Sequence, residues 1–393
     1  MSFKDKIYNY DVRIKGILKR IQNSDLCEEN KKDLLSFYRE CVIQGLSKAR
    51  IAKYLDTLQR LAQWLVKPFS QVEREDIENT VQYIESRDYT NWTKHDYKVI
   101  LKIFFRWLRK TDDYPEEVRW IKATPKNGNK LPEELLSPDE VRKIVEAANN
   151  LRDKALILVL YETGCRIGEL LTLQQRHVQF DEYGAVLLVN GKVGQRRVRI
   201  ILSAPKLSQW IENHPLRDNP DAPLWVTIGT NSRNRVLTYA TAKELLKDLA
   251  RKAGIKKRVH PHLFRHSRAT NMSNFLTEAQ MNQYFGWVQG SNMPSIYVHL
   301  SGRDVDKALL KLNGVEVPEE MKEETFLALT CPRCKMRNSP DAKFCSKCGL
   351  CLDVKTAVVI DETKARVDKL MTELVKRPNV LNHLLKAIEE ISE

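Results

Sequence analysis

Between Lys122 and Leu136 the helical periodicity of this chain stops, and at Ser137 it restarts with a full N-terminal capping signal. Pro125, Gly128 and Pro132 interrupt regular structure, with Lys122, Lys126 and Lys130 spaced between them. That is the composition of a linker rather than of a core element. Ser137-Pro138-Asp139-Glu140 then offers a serine N-cap, a proline at the first helical position and a glutamate that closes a capping box. A chain broken in this way does not fold as one continuous bundle, and 393 residues exceed one typical domain. The expected division is a domain over 1–122, a basic linker over 123–136 and a second domain over 137–314.

The first domain reads as all helix. Ile51, Tyr54, Leu55, Leu58, Leu61, Ala62 and Leu65 recur at steps of three and four, which makes one apolar stripe. Val99, Ile100, Ile103, Phe104, Trp107 and Leu108 do the same for a later helix, which Lys98, Lys102, Arg106, Arg109 and Lys110 decorate. A DNA-facing side and an ordinary solvated face account for those cations equally well. The second domain is mainly helical with one β insertion. Ala185 to Asn190 and Arg197 to Ile201 are β-prone runs parted by Gly191 and Gly194, a hairpin pattern with Lys192 at its tip. The expected fold class is mainly α with a small β-hairpin or sheet.

A net charge of +14 points towards a polyanionic partner. Its distribution is more telling than its size. From Arg251 to Arg268 there are seven Lys or Arg and no carboxylate, and from Asn190 to Ile200 there are four, again unopposed. One-sided runs of this kind favour a phosphate-facing surface over a mixed solvated one. Double-stranded DNA is therefore the expected partner, with Lys98, Lys102, Arg106, Lys122, Lys126, Lys130, Arg196, Arg197, Lys256, Lys257 and Arg258 as candidate contacts. The longest apolar run, Ala155 to Tyr161, is far short of a membrane span. The N-terminus is charged from Lys4 onward, so a soluble cytoplasmic protein without a signal peptide is expected.

Four segments carry the chemistry: Thr163-Gly-Cys-Arg-Ile-Gly-Glu-Leu-Leu, Asn190-Gly-Lys-Val-Gly-Gln-Arg-Arg, His262-Leu-Phe-Arg265-His and Gly286-Trp-(x)9-Tyr297. Two arginines, a lysine, a histidine, an indole and a tyrosine suit a site that holds one phosphodiester while a phenol attacks it. Arg166 stands between a helix stop and a helix start, where a guanidinium is rigidly aimed and can fork onto two phosphate oxygens. His262 and Arg265 share one helix face at a spacing of three. Two arginines on one phosphate would offset the charge that grows in the transition state. An imidazole titrating near neutral pH could take the phenolic proton or bind the phosphate, and His260 and His266 are rivals of His262 by composition alone. Glu169 reads either as a carboxylate that orients a cation or as a solvated helix residue.

The set and its order resemble the tyrosine recombinase superfamily, whose members include lambda-integrase, Xer and Cre relatives. The resemblance covers roughly residues 30–310. It implies that Arg166, Lys192, His262, Arg265, Trp287 and Tyr297 form the catalytic set, with Glu169 and His266 in support. Within it Tyr297 is the nucleophile and Lys192 the acid that protonates the departing 5′-oxygen; a phosphate-contacting lysine is the other reading of Lys192. The pattern His-x-x-Arg-His selects His262 over His266. Trp287 departs from the histidine that many relatives carry. Its indole N–H can donate but never titrates, and simple core packing is the alternative reading. The resemblance further implies a helical core-binding domain that clamps DNA, a homotetramer on paired sites, and no cofactor for the chemistry.

Five of the eight cysteines fall between Cys331 and Cys351. Cys331-Pro-Arg-Cys334, ten residues and Cys345-Ser-Lys-Cys348 have the spacing of a zinc ribbon, and four ligands leave Cys351 a bystander. A structural Zn2+ is expected over 326–355, followed by a helical tail over 356–393 split at Pro378. The appendage resembles arrangements in archaeal integrase-like proteins, which implies a prokaryotic setting. Two other functions compete with site-specific recombination: DNA relaxation of the type IB topoisomerase kind, and a DNA-binding regulator that has lost catalysis.

Overall fold

The computed structural model describes residues 7–124, 134–229, 233–298, 309–310, 312–314, 329–338 and 342–376. The chain divides into two compact units, residues 1–130 and 131–393. The acidic stretch after Gly314, the second helical segment of the tail, and Lys126 and Lys130 of the linker lie outside the described residues.

Unit one consists of α1 (Tyr10–Gln22), α2 (Glu28–Ile43), α3 (Lys48–Leu65), α4 (Arg74–Ser86), α5 (Asn91–Leu108) and the short α6 (Glu116–Arg119). No strand occurs among its described residues. Ser47 caps α3 by accepting from the Arg50 amide, and the stripe Ile51, Leu55, Leu58, Leu61, Ala62 and Leu65 is buried as its spacing requires. Phe104 of α5 meets the rings of Phe69 and Phe37 at 4.8 and 5.3 Å.

Two of the cations on α5 have partners within the unit. Lys98 is paired with Glu85. Lys102 Nζ donates to the carbonyls of Ile121 and Arg119 and lies 4.4 Å above the Tyr114 ring. Both serve the unit's own packing, because a carboxylate, two orphan carbonyls and an aromatic face already lie within their reach. Arg106 and Lys122 remain exposed.

Unit two opens with α7 (Pro138–Glu146), capped as its sequence predicts: Ser137 Oγ accepts from the Glu140 amide and Glu140 Oε2 from the Ser137 amide. Next comes α8 (Leu151–Thr163), buried all round, which ends at Gly164 in the left-handed region with φ 54°. Gly164 is required there twice over, since a Cβ would also lie 2.5 Å from Phe285 Cε1. After α9 (Ile167–Leu171) the chain forms an antiparallel sheet of β1 (Val178–Asp181), β2 (Gly184–Gly191) and β3 (Gly194–Ile200), in that order. The expected hairpin is β2–β3, closed by Gly191 opposite Gly194 with Lys192 and Val193 at the tip. Strand β1 was not foreseen, because three of its four residues are exposed and no alternation marks it.

The remaining helices are α10 (Ala204–Glu212), α11 (Tyr239–Lys252), α12 (Pro261–Met272), α13 (Glu278–Phe285) and α14 (Met293–Val298). Glu162 fastens the end of β3 to α8, its buried carboxylate accepting from the amides of Ile201, Leu202 and Ser203. A two-stranded pair, β4 (Leu329–Thr330) and β5 (Arg337–Asn338), accompanies the cysteine cluster, and α15 (Val354–Val375) follows. No described helix is long and apolar enough to cross a membrane.

Candidate active site

The site is organised around the turn that follows α13. Arg265, on α12 and 4% exposed, donates Nη1 to the Gly164 carbonyl and Nη2 to the Phe285 carbonyl, both at 2.8 Å. Arg166 Nη1 reaches the next carbonyl, that of Gly286, at 3.5 Å. Two guanidiniums thus hold consecutive carbonyls of one turn. Burial, and next the like charge of Arg166, lowers Arg265 to about 10, so it stays cationic at neutral pH. Arg166 is the N-cap of α9, and its side chain, 31% exposed, is the more open of the two.

Glu169 closes the capping box on Arg166. Its Oε2 accepts from the Arg166 amide at 3.1 Å, and its Oε1 accepts from Arg166 Nη1 at 2.9 Å. The carboxylate is 6% exposed, so the solvated reading gives way to an orienting one. Burial acts to raise its pKa, but the bonds from Arg196 and then Arg166 outweigh burial and hold it below the ordinary range.

Beyond the turn, Trp287 stacks on Phe285 at 4.9 Å and lies nearly parallel to Tyr297, at 5.5 Å and 9°. The Arg265 guanidinium carbon is 5.2 Å from the Trp287 ring centroid. Tyr297, on α14, is buried in a cluster with Ala269, Met281, Phe285 and Trp287. Burial raises its phenol above the ordinary value, and Arg265 pulls it back only in part. His266 Nδ1 lies 2.8 Å from the Tyr297 hydroxyl oxygen. His262 is exposed at the start of α12, its ring 6.4 Å from that of His266. The sequence pattern selected His262 for the site, either to take the phenolic proton or to bind the phosphate, whereas the fold brings His266 to the phenol. The available signal was the spacing of four, which puts both imidazoles on one face of α12.

Lys192 is exposed at the hairpin tip. Arg196, named among the candidate DNA contacts, is turned into the unit. Its side chain is 9% exposed and donates Nη2 to Glu169 Oε2 at 2.7 Å and Nε to the Tyr284 carbonyl at 3.1 Å. Lys257 Nζ donates to the Leu135 carbonyl and to Glu140 Oε2, both at 2.7 Å. Arg197, Lys256 and Arg258 are exposed. The last two border a groove of about 970 Å3 between α11 and the start of α12, together with Lys243, Lys247, Arg251 and His262.

Cys331, Cys334, Cys345 and Cys348 bring four sulfurs within 4.8 Å of one another. The pairs Cys331–Cys348 and Cys334–Cys345 are 3.6 and 3.4 Å apart. Bonds of about 2.3 Å from a tetrahedral ion put sulfurs at nearly this separation, so the set could hold one metal ion. Cys351 is turned away, its Sγ donating to the Asp353 carbonyl.

Residues 134–303 match the phage integrase family. The tyrosine recombinase XerA of Pyrococcus furiosus is 29% identical over 218 residues, which are 55% of this chain and 72% of the relative. Among solved structures, the XerH site-specific recombinase in its post-cleavage complex with a palindromic difH substrate aligns with a TM-score of 0.55. It is 19% identical and covers 79% of this chain and 98% of its own. A lambda integrase tetramer bound to a Holliday junction aligns at 0.52, with 14% identity over 66% of this chain and 77% of its own. These structural likenesses establish the fold.

Proposed function

The chain belongs to the tyrosine recombinase superfamily, and on that premise we propose that it is a site-specific DNA recombinase acting through a 3′-phosphotyrosine. One observation carries the reading: Arg265 and Arg166 hold the carbonyls of Phe285 and Gly286, and the next residue, Trp287, stacks on Tyr297. Two cations and a phenol are thereby tied to one turn.

Arg166 and Arg265 neutralise the non-bridging oxygens of the scissile phosphate. The Tyr297 oxygen bonds to phosphorus, and the bond to the 5′-oxygen breaks with its electron pair going to oxygen. Lys192 supplies the proton that makes this a 5′-hydroxyl. The phenolic proton passes to His266, the imidazole within hydrogen-bond reach, while His262 faces the phosphate. The phosphotyrosine retains the energy of the broken diester, so rejoining by a 5′-hydroxyl needs no ATP.

Duplex DNA enters along the basic groove between α11 and α12, where cations outnumber carboxylates and Glu244 is the one acid among the lining residues. The chemistry belongs to residues 137–314, the helical unit clamps the duplex, and a homotetramer joins two sites. The four cysteines bind a structural Zn2+, whose folding energy a ribbon this small requires. Cys331, Cys334, Cys345 and Cys348 would hold it outside the reaction. A nicked suicide substrate should trap covalent protein, and two labelled duplexes should exchange strands. Relaxation of supercoiled DNA by a monomer, without strand exchange, would point to the topoisomerase reading instead.

A further inference from the structure

We propose that Arg196 is the positioning residue that fixes the Lys192 hairpin against the phosphate-binding arginines; the inference rests on Lys192 being the general acid. The hairpin tip is poorly anchored by itself. Lys192, Val193, Gly194 and Gln195 are all exposed, so Arg196 is the first side chain on β3 to engage the body of the unit. Its guanidinium joins three places. It donates to Glu169 on α9, to the Tyr284 carbonyl at the end of α13 and, at 3.4 Å, to Cys165 Sγ just before Arg166.

The space around this guanidinium is kept by two glycines. A Cβ on Gly286 would lie 2.7 Å from Arg196 Nη1 and 2.9 Å from Cζ. A Cβ on Gly191, across the hairpin, would lie 2.7 Å from Glu169 Oε1 and 3.0 Å from Arg196 Nη1. Gly191 has no positive φ, so only this close approach demands glycine there. A buried pair of this kind contributes little net stability against an apolar replacement but imposes a strict geometry. Glu169 accepts from the Arg196 guanidinium through Oε2 and from the Arg166 guanidinium through Oε1. The carboxylate therefore sets the hairpin and the phosphate-binding arginine in one register.

The test compares cleavage of an ordinary nicked substrate with one carrying sulfur at the bridging 5′ position, which leaves without protonation. Arg196→Met should slow the ordinary substrate by about 10²-fold, the scale of a catalytic group misplaced by about an ångström. On the sulfur substrate it should come within about fivefold of the wild type, because only delivery of the acid is impaired. Gly191→Ala, which keeps both charges and pushes them apart, should show the same sulfur-rescued defect at smaller size. It secures the test should Arg196→Met fail to fold. Lys192→Ala is measured alongside. Rescue of Lys192→Ala without rescue of the Arg196 and Gly191 variants overturns the positioning role alone. Rescue of none of them overturns Lys192 as the acid, and the positioning role with it. Wild-type rates for both variants on the ordinary substrate also overturn it.

Discussion

His266 Nδ1 and the hydroxyl oxygen of Tyr297 are 2.8 Å apart, which joins α12 to the buried phenol of α14 through one hydrogen bond. Burial keeps the phenol protonated well past neutral pH, so attack needs an acceptor. His266→Ala should reduce adduct formation by about 10²-fold at pH 7. The variant should keep gaining rate towards pH 10 as phenolate forms without help. Superimposable single-turnover pH profiles would remove His266 from proton transfer.

Trp287 has two separable properties, its stacking surface and its N–H. Trp287→Phe keeps the stack on Tyr297 and should fold with nearly unchanged thermal stability, yet lose at least about tenfold in cleavage. Trp287→His should retain cleavage. Equal cleavage by the Phe variant and the wild type would reduce Trp287 to packing.

Glu169 gives a stability prediction with a defined sign. Its pKa is lower folded than unfolded, because the bonds from Arg196 and Arg166 overcome burial. Its contribution is therefore complete above the unfolded value and lost as pH falls through the folded one. Glu169→Gln should cost about 3 kcal/mol at neutral pH. The gap from wild type should close only below about pH 4. Urea titrations at several pH values test this; a gap that widens in acid contradicts it.

Metal removal should separate the cysteine cluster from the chemistry. Chelation or Cys331→Ser should expose the segment around β4 and β5 to protease, since on the zinc reading four metal–sulfur bonds would hold it. Suicide-substrate cleavage should stay within a few-fold, while complete recombination weakens. Loss of cleavage that zinc alone restores would tie the cluster to the active site.

The parts legible in the sequence were those fixed locally. The Ser137–Glu140 box, the α3 stripe and the glycine-bounded hairpin each depend on residues a few positions apart, and each formed as expected. Long-range partners were not legible. The internal partners of Lys98, Lys102 and Lys257 are an example, because a charge run does not disclose which carboxylate or carbonyl the fold will bring to it. Arg196 could have been read correctly from strand parity. Val198 and Ile200 are buried, and Arg196 shares their face of β3 while Arg197 takes the other. The pairing of His266 with Tyr297 needed the approach of α12 and α14, which no local pattern specifies.

The central claim is that Tyr297 becomes covalently joined to DNA in a site built by Arg166 and Arg265. A nicked duplex incubated with wild-type protein and with Tyr297→Phe, followed by mapping of any adduct, tests it most directly. The account predicts a 3′-phosphotyrosine at Tyr297 in the wild type and none in the variant, with DNA affinity unchanged. An adduct formed by the Phe variant, or a wild-type adduct mapped to a different tyrosine, would contradict it.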